Sequence, residues 1–491
     1  MRSTRGSVVF ARIRAAVVAA VVGSLVATGP VQADPNNNSS EKLRAAVTLE
    51  GVRRHQAAFQ DIATDRGGNR FAGLPGHDDS ATYVADQLRR AGYAVTLQEF
   101  TYEAFFERTP SVLRQVSPTA TTYVNGVDFR IMSYSGSGDV TAPLATPSGS
   151  QLGCAPGDFA GFPAGAIALV SRGTCTFRIK TTNATNAGAA AILVYNNIPG
   201  VVNGTLGAEG GLSAIASLGL TQALGQALLG AMGSGPVTMH VRTDTDSEPL
   251  TTRNVLAETE GGNRDNVVMV GAHLDSVTAG PGINDNGSGS AAILETAVQM
   301  AKVKPRNTVR FAWWSAEESG LIGSRHYVTN LSEAERGKIA LYLNFDMVGS
   351  PNFVRFVYDG DNSTGAGVAG PAGSESIEKL FVDYFNSVGL PSEPTPFNGR
   401  SDYGPFIDFG IPSGGLFTGA EGIKTAAQAA TYGGTAGVAY DPCYHAACDT
   451  YANNSSTGLD QMSDAIAHAV ITYAQNTEAI NGVKGKGNAR S

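Results

Sequence analysis

The chain has 491 residues, of which 42 % are hydrophobic and only 16 % charged, and its formal net charge is −8. That length exceeds one ordinary core and predicts two globular domains. The acidic balance argues against nucleic acid as a partner, because binding phosphates takes clustered Lys and Arg.

The first 33 residues combine a basic start (Arg2, Arg5, Arg12, Arg14), an apolar stretch from Ala15 to Ala27 and a small-residue exit at Val31-Gln32-Ala33. Together they predict a secretory signal, with mature protein beginning near Asp34. The apolar stretch is shorter than the roughly 20 residues a spanning helix needs, so a secreted protein not embedded in a membrane is expected. The four cysteines fall in two close pairs, Cys154 with Cys175 and Cys443 with Cys448. In an exported chain an even count favours disulfides over a thiol site, with free buried thiols as the alternative. Neither pair has the four-ligand spacing of a structural zinc site.

In chain order, residues 41–66 read as helical and Gly67-Gly68-Asn69 as a turn. A second helix carries Val84, Leu88 and Ala91 at i, i+4 and i+7 and ends at Gly92, and Tyr93 to Phe106 reads as a strand. From Ser133 the composition shifts to Gly, Ala, Ser and Thr with few charges, which predicts an insertion spanning 133–246. Inside it, Ile167–Val170 and Ala190–Tyr195 read as strands, and Cys175–Ala187 and Thr221–Leu229 as helices. Thr243–Glu248 reads as a polar linker. Strand-like and helical runs then alternate: Asn254–Ala257, Val267–Gly271, a helix Ser288–Lys302, Val309–Trp314, a helix after Leu321, and Ile339–Phe345. This alternation predicts an α/β fold, a mixed sheet flanked by helices. The last helix is expected over Leu459–Asn476, and the Gly/Lys-rich end after Gly482 is expected to fray.

Hydrolysing a peptide bond at neutral pH requires an activated water and a partner for the developing oxyanion, and two bridged metal ions can provide both. Val268-Met269-Val270-Gly271-Ala272-His273-Leu274-Asp275 puts a histidine at the end of an apolar strand, with Asp275 placed to accept its second N–H. Asp285 follows in a Gly/Asn-rich loop before a helix. Trp313-Trp314-Ser315-Ala316-Glu317-Glu318 sets two acids side by side, where repulsion requires cations or a proton to offset it. One glutamate suits metal binding, the other proton transfer. Asn344-Phe345-Asp346 is another strand ending in an acid, and Cys443-Tyr444-His445-Ala446-Ala447-Cys448 ties a tyrosine and a histidine into a small loop. Each element alone is commonplace as a cap or a structural histidine. Only seven histidines occur in the chain, however, and two sit in motifs with these acids in consistent order.

The order His-x-Asp, Asp-Asn-x-Ser-Gly, Glu-Glu, Asn-Phe-Asp and Cys-Tyr-His resembles the secreted co-catalytic zinc aminopeptidases, the leucine aminopeptidase and aminopeptidase Y family, more distantly related to glutamate carboxypeptidase. Gly67-Gly68-Asn69-Arg70 and the C-terminal helix resemble it too. The resemblance implies two Zn2+ per chain. His273, Asp285 and Asp346 would serve one ion and Asp285, Glu318 and His445 the other, with Asp285 bridging. It further implies Glu317 as general acid/base, Asp275 behind the histidine, Tyr444 at the oxyanion, and Arg400 and Phe417 in the pocket for an apolar first residue such as leucine. Where relatives carry an acid a few residues before Arg400 to hold the substrate ammonium, this chain has Glu393-Pro394, offset by one position. Asp460 and Asp464 resemble part of a Ca2+ site whose completing N-terminal acid has no match here, and they otherwise read as solvated acids of a first helical turn. Gly157 to Ile192, including Arg172-Gly173-Thr174-Cys175, is similar to the protease-associated (PA) domain. The catalytic domain is then discontinuous, 41–132 and 247–482, and a monomer acting on peptides with a free N-terminus is expected. Competing readings are a glutaminyl cyclase, a carboxypeptidase or dipeptidase on the same fold, and a non-catalytic PA-containing binding protein. The last would show lost ligands. No nucleophile-elbow or phosphate-loop motif supports serine or nucleotide chemistry.

Overall fold

The computed structural model describes residues 36–208 and 210–483. The expected signal segment and the tail beyond Val483 lie outside the described residues.

Runs such as Val267–Val270 are apolar at every position, so they require cover on both faces. They receive it at the centre of a mixed sheet. Strands Ser413–Phe417, Ile339–Phe345, Asn263–His273 and Asn307–Trp314 lie side by side and parallel. Alternation along each strand sends Val268, Val270, Phe311, Trp313, Leu341 and Leu343 into one core. Helices Leu49–Asp65, Pro75–Arg90, Gly287–Met300 and Ser456–Gln475 cover that face. Met269, Ala312, Trp314 and Tyr342 point the other way, onto helices Ile322–Asn330 and Tyr403–Asp408. The chain thus adopts the expected sheet flanked by helices.

Two long strands, Ala94–Ser117 and Thr238–Glu258, pair antiparallel from Ala94 against Glu258 to Ser117 against Thr238. At one end this ribbon joins Asn307–Trp314. At the other it joins Gly138–Ala145, which leads into the parallel strands Ile167–Ser171, Ala191–Tyr195 and Ala216–Leu220, with Phe129–Ile131 antiparallel at the edge. Thr243–Glu248 is therefore the middle of a strand and not a linker. Thr243 and Thr245 are buried while Asp244 and Asp246, which alternate with them, are exposed. A two-residue period written in Thr and Asp has the composition of a linker but the geometry of a half-buried strand.

Other departures are local. The helix expected over 41–66 is two helices, Ser40–Ala46 and Leu49–Asp65, broken where the Thr48 hydroxyl caps the second by accepting the Gly51 N–H at 3.1 Å. Strand Ser413–Phe417 was hidden by its glycines. Gly414 packs against helix Ser374–Ser387, where a Cβ would collide with Ile377.

Arg70 pins the fold to the site. It is fully buried, and burial lowers its pKa to about 10. Its guanidinium donates to the carbonyls of Pro281 at 2.9 Å, Gly282 at 2.6 Å and Leu274, closing the loop between His273 and Asp285. Arg70→Met should strand these three acceptors and cost ~3 kcal/mol or more. The denaturant midpoint of the purified variant measures this, and an unchanged midpoint would contradict it.

Candidate metal centre and active site

Every predicted ligand lies at or just beyond the C-terminal edge of the parallel strands or on a loop folded over it, the usual place for a site in such sheets. His273 ends its strand, Asp346 follows Phe345, and Glu317 and Glu318 follow Trp314 after a two-residue turn. Asp285 precedes helix Gly287–Met300, whose cap Asn286 accepts the Gly289 N–H at 2.9 Å. His445 comes in from the loop closed by the Cys443–Cys448 disulfide, and the other cysteines form the Cys154–Cys175 disulfide. Three non-glycine residues at these ligands adopt left-handed backbone: Ala316 (φ 56°), Met347 (φ 47°) and His445 itself (φ 56°). Such conformations are costly and persist where the surroundings impose them.

Asp285 presents one oxygen to each histidine. Oδ1 is 3.3 Å from His273 Nε2 and Oδ2 is 3.1 Å from His445 Nε2. Asp346 Oδ1 lies 3.3 Å from His273 Nε2 and Glu318 Oε2 lies 2.9 Å from His445 Nε2. Glu317 stands further off, 3.9 Å from His273 Nε2. Two sets of donor atoms, His273, Glu317 and Asp346, and Asp285, Glu318 and His445, each lie within 4.8 Å of one another. Three buried atoms, Glu318 Oε1, Asp346 Oδ1 and His445 Nε2, have no hydrogen-bond partner. Four carboxylates and two imidazoles packed this way are expensive unless cations join them. The nitrogen and oxygen donors suit divalent ions such as those of hydrolytic metal sites. The residues present therefore fit a pair of such ions.

The supporting contacts extend beyond what the motifs indicated. His273 Nδ1 donates to the Asp275 main-chain carbonyl at 3.2 Å and lies 3.7 Å from the Asp275 carboxylate. That carboxylate instead accepts the N–H groups of Glu317 and Glu318 at 3.2 and 3.3 Å. Asp275 thus orients the paired glutamates as well as the imidazole. Asp449, one residue after Cys448, accepts the N–H groups of Asn284 and Asp285 at 2.8 and 3.0 Å. Burial, reinforced by Asp441, pushes its carboxyl up to about 8. Ser401 donates to Asp346 Oδ2 at 2.6 Å and accepts from Asn344 at 2.8 Å. The Asn203 side-chain amide, from the inserted segment, lies 2.9 Å from His445 Nδ1. Nothing local in the sequence marks Asn203 or Asp449, because each reaches its partner from a distant segment or through a main-chain group.

Burial is the main force on Glu317. It lifts the carboxyl well above the ordinary range against the pull of His273, and Glu318 adds to the rise. Burial likewise raises the Tyr444 hydroxyl, against the pull of Arg400. The Tyr444 ring stacks on His445 with centroids 3.8 Å apart. Arg400 donates to the Tyr444 oxygen at 3.2 Å and to Glu421 at 2.8 Å. A cavity of about 70 Å3 opens beside Glu317 and Asp346, and Met347, Tyr358, Arg400, Phe417 and Tyr444 are among its walls. Arg400 and Phe417 therefore both reach it.

Glu393 does not line this cavity. Its carboxylate accepts from Gln428 at 2.7 Å. Asp460 and Asp464 lie beyond the first turn of Ser456–Gln475, and Asp464 pairs with Arg44 at 3.5 Å. Among the described residues neither acid joins a three-ligand cluster.

Fold and site together define a metallo-exopeptidase. A model of peptidase family M28 matches residues 254–470, and a PA domain model matches 140–228. An aminopeptidase of Pseudomonas aeruginosa is 48 % identical over 454 residues, covering 89 % of this chain and 83 % of the relative. A probable leucine aminopeptidase 2 of Aspergillus fumigatus is 46 % identical over 416 residues, covering 84 % and 80 %. Among solved structures, an aminopeptidase from Aneurinibacillus sp. strain AM-1 superposes with a TM-score of 0.70 at 28 % identity, covering 92 % of this chain and 99 % of that one. A zinc aminopeptidase from Bacillus subtilis gives 0.59 at 26 % identity, covering 87 % and 95 %. The chain belongs to peptidase family M28 and is a metallo-aminopeptidase with a PA domain.

Opening the Cys443–Cys448 loop tests how firmly His445 is held. Cys443→Ser/Cys448→Ser should lose about 2 kcal/mol of loop-closure stabilisation and bind divalent metal more weakly. Metal titration followed by calorimetry measures both, and unchanged metal affinity would show that the loop keeps its shape unaided.

Proposed function

We propose that this chain is a secreted, monomeric, zinc-dependent aminopeptidase that removes single residues from free peptide N-termini through a two-zinc centre. The observation that carries the reading is Asp285, with one carboxylate oxygen toward each histidine. His273 and Asp346 would complete one site and Glu318 and His445 the other. Glu317, more distant from His273 than Asp285 or Asp346 is, would remain outside the coordination. Catalytic segments 41–132 and 247–482 would flank a PA insertion at 133–246, with one boundary falling inside the long ribbon.

The ions would supply Lewis acidity toward the scissile carbonyl and an acidified water. Glu317 is suited, in its ionised form, to take a proton from that water and return it to the leaving amine, and the burial that makes its carboxylate more basic assists the first transfer. Tyr444 is placed to donate its hydroxyl proton to the oxyanion, since Arg400 already donates to the phenolic oxygen. His273 donates its Nδ1 proton to the Asp275 carbonyl, which leaves Nε2 with a free lone pair. For His445 the same state follows when Asn203 turns its amide oxygen to the ring; oxygen and nitrogen exchange by a simple rotation. Met347, Tyr358 and Phe417 in the pocket support an apolar first side chain such as leucine. Among the described residues no helix is long and apolar enough to cross a membrane, and the two disulfides fit an oxidising compartment.

Glu317→Gln should lower kcat by ~10²- to 10⁴-fold while the zinc content of the purified protein stays the same; full activity would remove Glu317 from the mechanism. A strong chelator should abolish activity and added zinc restore it. Free leucyl peptides should be cleaved and their N-acetylated forms left intact. Cleavage of the blocked forms would overturn the aminopeptidase reading.

A further inference from the structure

A second cavity, of about 200 Å3, lies where the insertion's sheet meets the metal-binding edge. Glu318 and His445 line both this cavity and the smaller pocket beside Arg400. The remaining walls include Phe71 and Phe105, and, from the insertion's sheet and loops, Arg130, Tyr134 and Asn203. The candidate ligands therefore stand between two spaces. A peptide whose scissile carbonyl rests there, with its first side chain in the Arg400 pocket, must send its next residues into the larger cavity.

Arg130 is the unusual member of this wall. Its strand, Phe129–Ile131, pairs with Ala216–Leu220. Its Nε is shielded from solvent and has no hydrogen-bond partner, and among the described residues no acid pairs with the guanidinium. Two acids share this wall: Glu318, which faces His445, and Glu107, whose Oε1 accepts the N–H and hydroxyl of Ser111 at 2.7 and 2.6 Å. Two nearby cations of the insertion are matched: Arg178 donates to the carbonyls of Leu206, Gly207 and Gly211, and Lys180 to those of Leu152 and Gly173. A shielded donor left unmatched is costly unless a ligand completes it.

Resting on the aminopeptidase reading above, we infer that this cavity is the subsite for the part of the substrate beyond the scissile bond, and that Arg130 binds the C-terminal carboxylate of a di- or tripeptide. A guanidinium is matched to a carboxylate by a planar fork of donors. The edge strand Phe129–Ile131, which joins the insertion's sheet, would then select short peptides by their far end while the metal edge acts on the near one.

The test compares kcat/KM for Leu-Gly and Leu-Gly-Gly with their C-terminal amides, and for leucine p-nitroanilide, which has no carboxylate, in wild type, Arg130→Gln and Arg130→Lys. Wild type should prefer at least one free acid over its amide by ~10-fold or more, as a charge-assisted bond implies. Arg130→Gln should erase that preference and Arg130→Lys should keep part of it, with the loss in kcat/KM falling on the free acids more than on their amides. Equal rates for acids and amides in wild type, or a preference that survives Arg130→Gln, would overturn the inference and leave the aminopeptidase reading intact. Because the wild-type ratio is decisive by itself, a variant that fails to fold does not rescue the idea. Failure of wild type to cleave the anilide would strike the proposed function instead.

Discussion

Like charges packed out of water are the constraint from which the rest of the molecule follows. Asp285, Glu317, Glu318 and Asp346 are gathered with His273 and His445 in a pit where burial opposes ionisation of Asp285, Glu317 and Glu318. Asp285 is held well below its ordinary range, because burial is outweighed there by the pull of the two neighbouring histidines. Such a cluster cannot hold itself together by mutual attraction. The cost of assembling it falls on the framework: parallel strands that end at one edge, main-chain N–H groups aimed at Asp275 and Asp449, and a cross-linked loop under His445.

That division of labour explains what the sequence discloses. The framework strands are covered on both faces, so they appear as unbroken apolar runs, and the acids and histidine that follow them stand out by contrast. Val267–Gly271 leading to His273 and Ile339–Phe345 leading to Asp346 could both be read this way. The disulfides and the PA segment were also visible, the first from pairing and the second from resemblance. Elements built from polar or small residues could not be read. Thr243–Glu248 disguised a strand as a linker, and the strand at Gly414-Gly415 gave no apolar run by which to find it. The groups that hold the ligands in place were hidden for a different reason. Asn203 and Asp449 act across more than 150 residues of chain, as donors or acceptors to a distant ring or to main-chain atoms, and so does Arg70, which the sequence marked only through its place in Gly67-Gly68-Asn69-Arg70. No periodicity records such a contact.

Asp275 shows how a correct expectation about a residue can miss most of its work. Two residues from His273, it was expected to hold the imidazole. In the fold its carbonyl meets the ring and its carboxylate caps the turn that aims Glu317 and Glu318. One residue, through its main chain and its side chain, therefore fixes the spacing between the histidine and the paired glutamates, groups 44 residues apart in sequence. Positive-φ backbone at Ala316, Met347 and His445 fits the same picture of local conformations imposed by the assembled site.

The antiparallel ribbon gives the inserted module an unusual attachment. Because Ala94–Ser117 and Thr238–Glu258 each run unbroken through both halves, the module hangs from two rails and not from flexible tethers. Genetic excision at its compositional borders would cut a rail at mid-span and expose a row of unpaired main-chain groups. A shortened relative of this protein would have to turn the rails into a tight hairpin before the module begins. Loss or gain of the module in evolution is thus constrained to the few rungs where such a turn could close.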